Sequence, residues 1–133
     1  EAHIPLAEDL KERIDGADGL PGQYAGELAG LIDRARDFAE EVAKTGNETL
    51  ARQASNALYH ATTATLMATE GTMLGKQGGD ARRLLMSRMI VDNKLKPGDP
   101  LKVGDSSFEV EAGNCLLSPE PVSLDQATDL LAR

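Results

Sequence analysis

The chain has 133 residues, of which 41% are hydrophobic but only 3% aromatic, and it contains no tryptophan. That length suits one domain able to bury about two-thirds of its unfolded surface, and a core built from Leu, Met, Val and Ala points to an all-α protein rather than a sandwich. Fourteen Lys and Arg against twenty-two Asp and Glu give a net charge of −8, which disfavours nucleic acid and anionic lipid surfaces as partners.

The first periodic stretch runs from Pro5 to Ile14, where Leu6, Leu10 and Ile14 recur every fourth residue before Gly16, Gly19, Pro21 and Gly22 interrupt the pattern. Residues 1–22 read as a peripheral helix and turn that lean on the rest. Residues 23–96 read as the core helices. From Gln23 to Lys44, Tyr24, Leu28, Leu31, Ile32, Ala35, Phe38, Ala39 and Val42 mark an apolar face, with Glu27, Asp33, Arg34, Asp37, Glu40 and Glu41 mostly opposite. Thr45-Gly46-Asn47 closes this helix and opens the next: Gly46 suits a left-handed C-terminal residue, and Asn47 suits an N-cap. A link that short makes the two helices antiparallel neighbours. Asn47-Glu48-Thr49 also fits a glycosylation triplet, but capping is the better reading of Asn47.

The third helix, Glu48 to Lys76, carries the most informative pattern in the chain. Ala54, Ala57, Ala61, Ala64, Ala68, Gly71 and Gly75 alternate in steps of three and four along one face. A seam without bulky side chains lets a neighbouring helix approach toward the short end of the usual range of roughly 8–10 Å. Gln77-Gly78-Gly79-Asp80 then forms a turn with Asp80 as N-cap, and a fourth helix follows through Ala81, Leu84, Leu85, Met89, Val91 and Leu95. Met86 and Ile90 widen its apolar arc beyond what a surface helix needs, so this helix either packs on several neighbours or presents an interface, for which Leu84, Leu85, Met86, Met89 and Ile90 are the expected residues facing a partner helix or a second copy.

Residues 97–133 form a C-terminal extension. Lys96-Pro97-Gly98-Asp99-Pro100 is a rigid break. Ser106-x-x-Glu109 has the form of a capping box, and the spacing of Phe108, Ala112, Cys115 and Leu116 favours a helix over the strand that Phe108-Glu109-Val110-Glu111 would allow. Ser123-x-x-Gln126 repeats the capping form before Leu124, Ala127, Leu130 and Leu131. The expected fold is therefore an antiparallel up-and-down bundle of about four main helices with short C-terminal helices.

Chemistry-bearing residues are sparse. His60 could serve as a general base, with Glu70 in a small catalytic bundle, or as a metal ligand, but it lacks the Glu-x-x-His partners that a bundle metal site requires; it reads as an ordinary hydrogen-bonded helix histidine, and no metal ligand set is expected. Cys115, the one cysteine, has neither a cationic neighbour nor a helix N-terminus to activate it, and reads as a small buried hydrophobe. Gly75, Gly78 and Gly79 lack the spacing of a phosphate loop and read as a turn. Arg82, Arg83, Arg88, Lys94, Lys96 and Lys102 form one comparatively basic region, read mainly as solvated helix faces. Glu70 is the one candidate catalytic carboxylate: partial burial would raise its pKa and suit it to proton abstraction, whereas a salt bridge to one of the arginines explains it equally well.

Three stretches carry a family resemblance that spans about half the chain. They are Ala57-Leu58-Tyr59-His60-Ala61-Thr62, Gly78-Gly79-Asp80-Ala81-Arg82-Arg83-Leu84-Leu85, and Asp92-Asn93-Lys94-Leu95-Lys96-Pro97-Gly98-Asp99-Pro100-Leu101. Together they resemble the closing helices of acyl-CoA dehydrogenase-like flavoproteins. The resemblance implies an antiparallel helical domain that packs against a β-domain, helps to enclose FAD and the acyl chain, and contributes to oligomer contacts. Glu70-Gly71-Thr72 is similar to the triplet in which many family members place the base that removes the α-proton of an acyl thioester. The chain departs from that pattern: Thr69 precedes Glu70 where an aromatic residue is usual, and Met73-Leu74-Gly75 follow in place of an acidic helix start.

The chain shows no β-domain, flavin-binding segment or amino-terminal helical domain, so by itself it is expected to bind no cofactor, FAD belonging to a longer parent. Its start at Glu1, without a methionine, reads either as processing or, the favoured expectation, as excision from something longer. The expected partners are the remaining domains of that parent and further copies of the chain. With no secretory signal and no apolar run long enough to span a bilayer, the expected setting is the cytoplasm. The alternative is a freestanding helical interaction module.

Overall fold

A computed structural model describes residues 2–96, 101 and 106–132. They form six α-helices: α1 (His3–Asp15), α2 (Gly22–Thr45), α3 (Glu48–Lys76), α4 (Arg82–Ile90), α5 (Ser107–Leu117) and α6 (Leu124–Leu131). A π-helical turn, Val91–Leu95, continues α4, and no strand occurs among the described residues. The Pro97–Pro100 break and Lys102 lie outside them.

Antiparallel order follows from the cross-links between helices. Lys11 reaches Asp33 at 3.0 Å while His3 lies near Glu40, so α1 runs against α2. Ser87 lies against Ala64 and Arg83 against Glu70, so α4 runs against α3. At the hinge between α2 and α3, Gly46 adopts φ 68° and the Asn47 side chain accepts hydrogen bonds from the N–H groups of Thr49 and Leu50. Both roles are local consequences of residue type.

The small-residue seam of α3 is the axis of the molecule. Ala54, Ala61, Ala64 and Ala68 are buried, as is Gly71. Helix α4 crosses so close to Gly71 that a Cβ there would collide with the backbone nitrogen of Leu84 and lie 3.1 Å from the carbonyl carbon of Arg83. One turn later a Cβ on Gly75 would come within 2.9 Å of Leu124 Cβ and 3.0 Å of Ala81 Cβ, where α6 docks. Thr72 remains buried among these groups because its hydroxyl donates to the Ala68 carbonyl at 2.8 Å.

One hydrophobic core spans all the helices. Ala7, Leu10 and Ile14 enter from α1, Leu28 and Ile32 from α2, and Val122, Ala127 and Leu130 from the C-terminal segment. Leu84 and Leu85 belong to this core with no exposed surface. This corrects their assignment to a partner interface: α4 turns both leucines toward the chain's own helices. Of the five expected interface residues Met86 is 39% exposed, whereas Met89 and Ile90 are half-buried against the core.

The fourth helix also ends differently from the simple periodic expectation, because its last turn widens into the π form, with Lys96 N–H donating to the Val91 carbonyl at 2.7 Å. The two capping-box motifs are realised only in part. Ser123 Oγ accepts from Gln126 N–H at 3.1 Å, but the Gln126 amide turns to Cys115 Sγ. Ser106 precedes α5 without a side-chain cap bond.

Candidate functional site

Glu70 lies on the exposed side of α3, and its carboxylate receives a hydrogen bond from Arg83 at 2.9 Å. Both side chains are about half exposed, at 51% for Arg83 and 47% for Glu70. The burial that would fit this carboxylate for proton abstraction is absent, and the salt-bridge reading stands. His60 is ten residues away on the same helix, or ~15 Å along its axis, so the two cannot share one reacting atom. His60 is half-buried, with Tyr59 edge-on at 5.3 Å. Cys115 is half-buried and unpaired with any other cysteine. Among the described residues no group of three or more His, Cys, Asp or Glu side chains can hold a metal ion, and no helix is long and apolar enough to cross a membrane.

The glycine turn is inward-looking. Gly78 N–H donates to Gly75, Gly79 N–H to Leu74 and Ala81 N–H to Val122. Asp80 Oδ1 accepts from the N–H groups of both Arg82 and Val122, at 3.0 and 3.1 Å. The Arg82 guanidinium in turn donates to the carbonyls of Ser118 and Glu120. The segment that resembles the flavoprotein turn is therefore a clamp on the chain before α6.

A buried polar cluster joins α2, α3 and α4. Ser87 Oγ donates to the Ala64 carbonyl at 2.6 Å, and the Tyr24 hydroxyl, 2.7 Å from Ser87 Oγ, donates to that oxygen. Burial raises the Tyr24 phenol well above its ordinary value, so it stays protonated. The Arg88 guanidinium lies 5.6 Å from the Tyr24 ring centroid and bonds Glu27 at 2.7 Å, where Lys96 also arrives at 3.1 Å. Burial opposes ionisation of Glu27, but the hydrogen bonds from Lys96 and Arg88 outweigh it and hold the carboxyl below its usual range. Sequence periodicity marked Tyr24 as core but gave no signal for Ser87, whose partner is 63 residues distant.

Two open grooves flank α3. One, about 780 Å³, lies between the end of α1 and the C-terminal half of α3, beside Glu70 and Met73. Lys76 and Asp18 close across its side at 2.9 Å. The other, about 920 Å³, runs between the middle of α2 and the first half of α3. Leu31, Ala35, Phe38, Ala57 and Leu95 supply its apolar surface, Arg34, Arg52, His60 and Lys94 its basic groups, and Asp37, already bound by Arg36, its one carboxylate.

Arg34, Arg52 and Lys94 share a further property. Among the described residues every other Lys and Arg lies within 4.0 Å of a carboxylate. Local spacing would have offered Arg34 the carboxylate of Asp37 and Arg52 that of Glu48. In the fold Asp37 instead binds Arg36 at 3.1 Å. The basic region read from sequence therefore divides: Arg82, Arg83, Arg88 and Lys96 are tied to carboxylates, and only Lys94 of the described members remains available. Comparison with known proteins adds no identity, because no family model, curated protein or solved structure matches the chain.

Proposed function

We propose that this chain is a helical packing and assembly domain, the C-terminal helical part of an acyl-CoA dehydrogenase-like flavoenzyme, that supplies structure rather than reacting groups. The observation that carries the structural role is the use made of the Gly78–Arg83 segment. Asp80 and Arg82 clamp the segment before α6, and Arg83 neutralises Glu70 on the surface. The flavoprotein kinship rests on the resemblance of the same segment and its flanking stretches. FAD and the substrate then belong to the other domains of the parent, and Met86, with Met89 and Ile90 beside it, belongs to contacts between copies or domains.

Detecting the native gene product with an antiserum against this chain tests the reading. A polypeptide well above 14.1 kDa that copurifies with yellow flavin absorbance supports it. A product of 14.1 kDa alone refutes it and favours a freestanding helical interaction module.

A further inference from the structure

The groove between α2 and α3 gathers the three cations that stand without a carboxylate among the described residues, in a molecule with a net charge of −8. Twenty-two Asp and Glu residues are present in the sequence, and nine other cations have all found carboxylates among the described residues. Three bare cations around one apolar channel therefore form an anion-seeking surface on an otherwise acidic protein.

Each cation comes from a different element: Arg34 from α2, Arg52 from α3 and Lys94 from the π turn. On α3, Arg52 and His60 are eight residues apart, ~12 Å along the helix axis. The groove is therefore longer than one compact anionic head, and a helix with carboxylates spaced along it matches that length.

The shape agrees. Helices α2 and α3 supply most of the groove wall, and Lys94 and Leu95 of the turn after α4 complete it. The α3 lining extends from Thr49 to His60, ~16 Å or about three helical turns. We infer that this groove docks an acidic amphipathic helix of a partner protein, its apolar face on Phe38 and Leu95 and its carboxylates on Arg34, Arg52 and Lys94. The inference is independent of whether the parent is a flavoenzyme.

The test uses a labelled synthetic peptide of about 15 residues, with leucine on one helical face and glutamate along its flanks, titrated into the chain and followed by fluorescence anisotropy. The whole chain repels such a peptide, so saturable binding that weakens with salt reports a local site. Replacing Arg34, Arg52 and Lys94 together by Gln is expected to weaken binding about tenfold or more. Removing the same charge elsewhere, with Arg13→Gln, Lys44→Gln and Arg83→Gln, adds only screened long-range repulsion and is expected to change binding by no more than about twofold. All six residues are surface cations, and circular dichroism verifies that both variants keep their helicity.

The inference is overturned if the glutamate peptide fails to bind, if a peptide with lysine in place of glutamate binds as well, or if the control variant loses as much affinity. It is also overturned if dodecanoate occupies the groove one to one while the peptide does not bind.

Discussion

Gly71 offers the sharpest test of how this bundle is held together. In an exposed helix interior, replacing Gly by Ala gains about 1 kcal/mol, because alanine has less backbone freedom to lose. At Gly71 the added methyl would meet backbone, the Leu84 nitrogen and the Arg83 carbonyl carbon at 3.1 Å, with the Arg83 Cβ beside them at 3.2 Å. Backbone in the first turn of α4 cannot swing aside as a flexible side chain would, so α4 must move off α3. Overpacking in a tight core costs about 1–3 kcal/mol, and an encounter with helix backbone belongs at or above the top of that range. Subtracting the propensity gain leaves a net loss of about 2 kcal/mol for Gly71→Ala.

For a chain of this size the melting temperature changes by roughly 3–5 °C per kcal/mol, so the expected decrease is about 6–10 °C. Gly30→Ala is the internal control, since Gly30 lies in α2 with nothing within 4 Å of an added Cβ. It is expected to raise the melting temperature by about 3–5 °C. Thermal unfolding followed by circular dichroism measures both. A Gly71→Ala protein as stable as the parent would refute close backbone approach as the basis of α3–α4 packing, as would a destabilised Gly30→Ala protein.

Three further outcomes follow from the polar groups. Ser87→Ala removes the acceptor of a buried Tyr24 hydroxyl and is expected to cost about 1–3 kcal/mol in urea unfolding; adding Tyr24→Phe to it should recover part of that loss, since no stranded hydroxyl then remains. Glu27 has a lowered folded-state pKa, so its stabilisation is present above the unfolded value near 4.5 and disappears as pH falls through the lower folded value. Unfolding measured as a function of pH should therefore show a shallower acid limb in Glu27→Gln. Asp80→Ala frees the N–H groups of Arg82 and Val122, so hydrogen exchange should accelerate at Val122 and through α6 while α2 remains protected.

Much of the architecture is written locally. The seam of α3, the amphipathic face of α2, the left-handed Gly46 and the Asn47 cap all depend on residues within a few positions of one another, and periodicity exposes them. The resemblance also singled out the Gly78–Arg83 stretch, but not what it does, because the clamp depends on carbonyls 36 and 38 residues farther along the chain. The π turn after Ile90 is likewise absent from the apolar pattern, which continues unchanged through Leu95.

The candidate site shows the same division more sharply. Side-chain type and spacing placed Leu84, Leu85 and Met86 on one broad apolar face, but the rotation of α4 about its axis sends the two leucines inward and leaves Met86 partly in solvent. Glu70 had arginines within reach on paper, and packing chose Arg83 and kept the pair at the surface. Arg34 and Arg52 each have a carboxylate at helical spacing in sequence, yet remain without one in the fold. Helix formation and capping are decided by neighbours along the chain, so the sequence by itself determined them. Which charges meet, which stay bare and which apolar residues reach the core depend on the relative rotation of helices, and only the tertiary structure decided those.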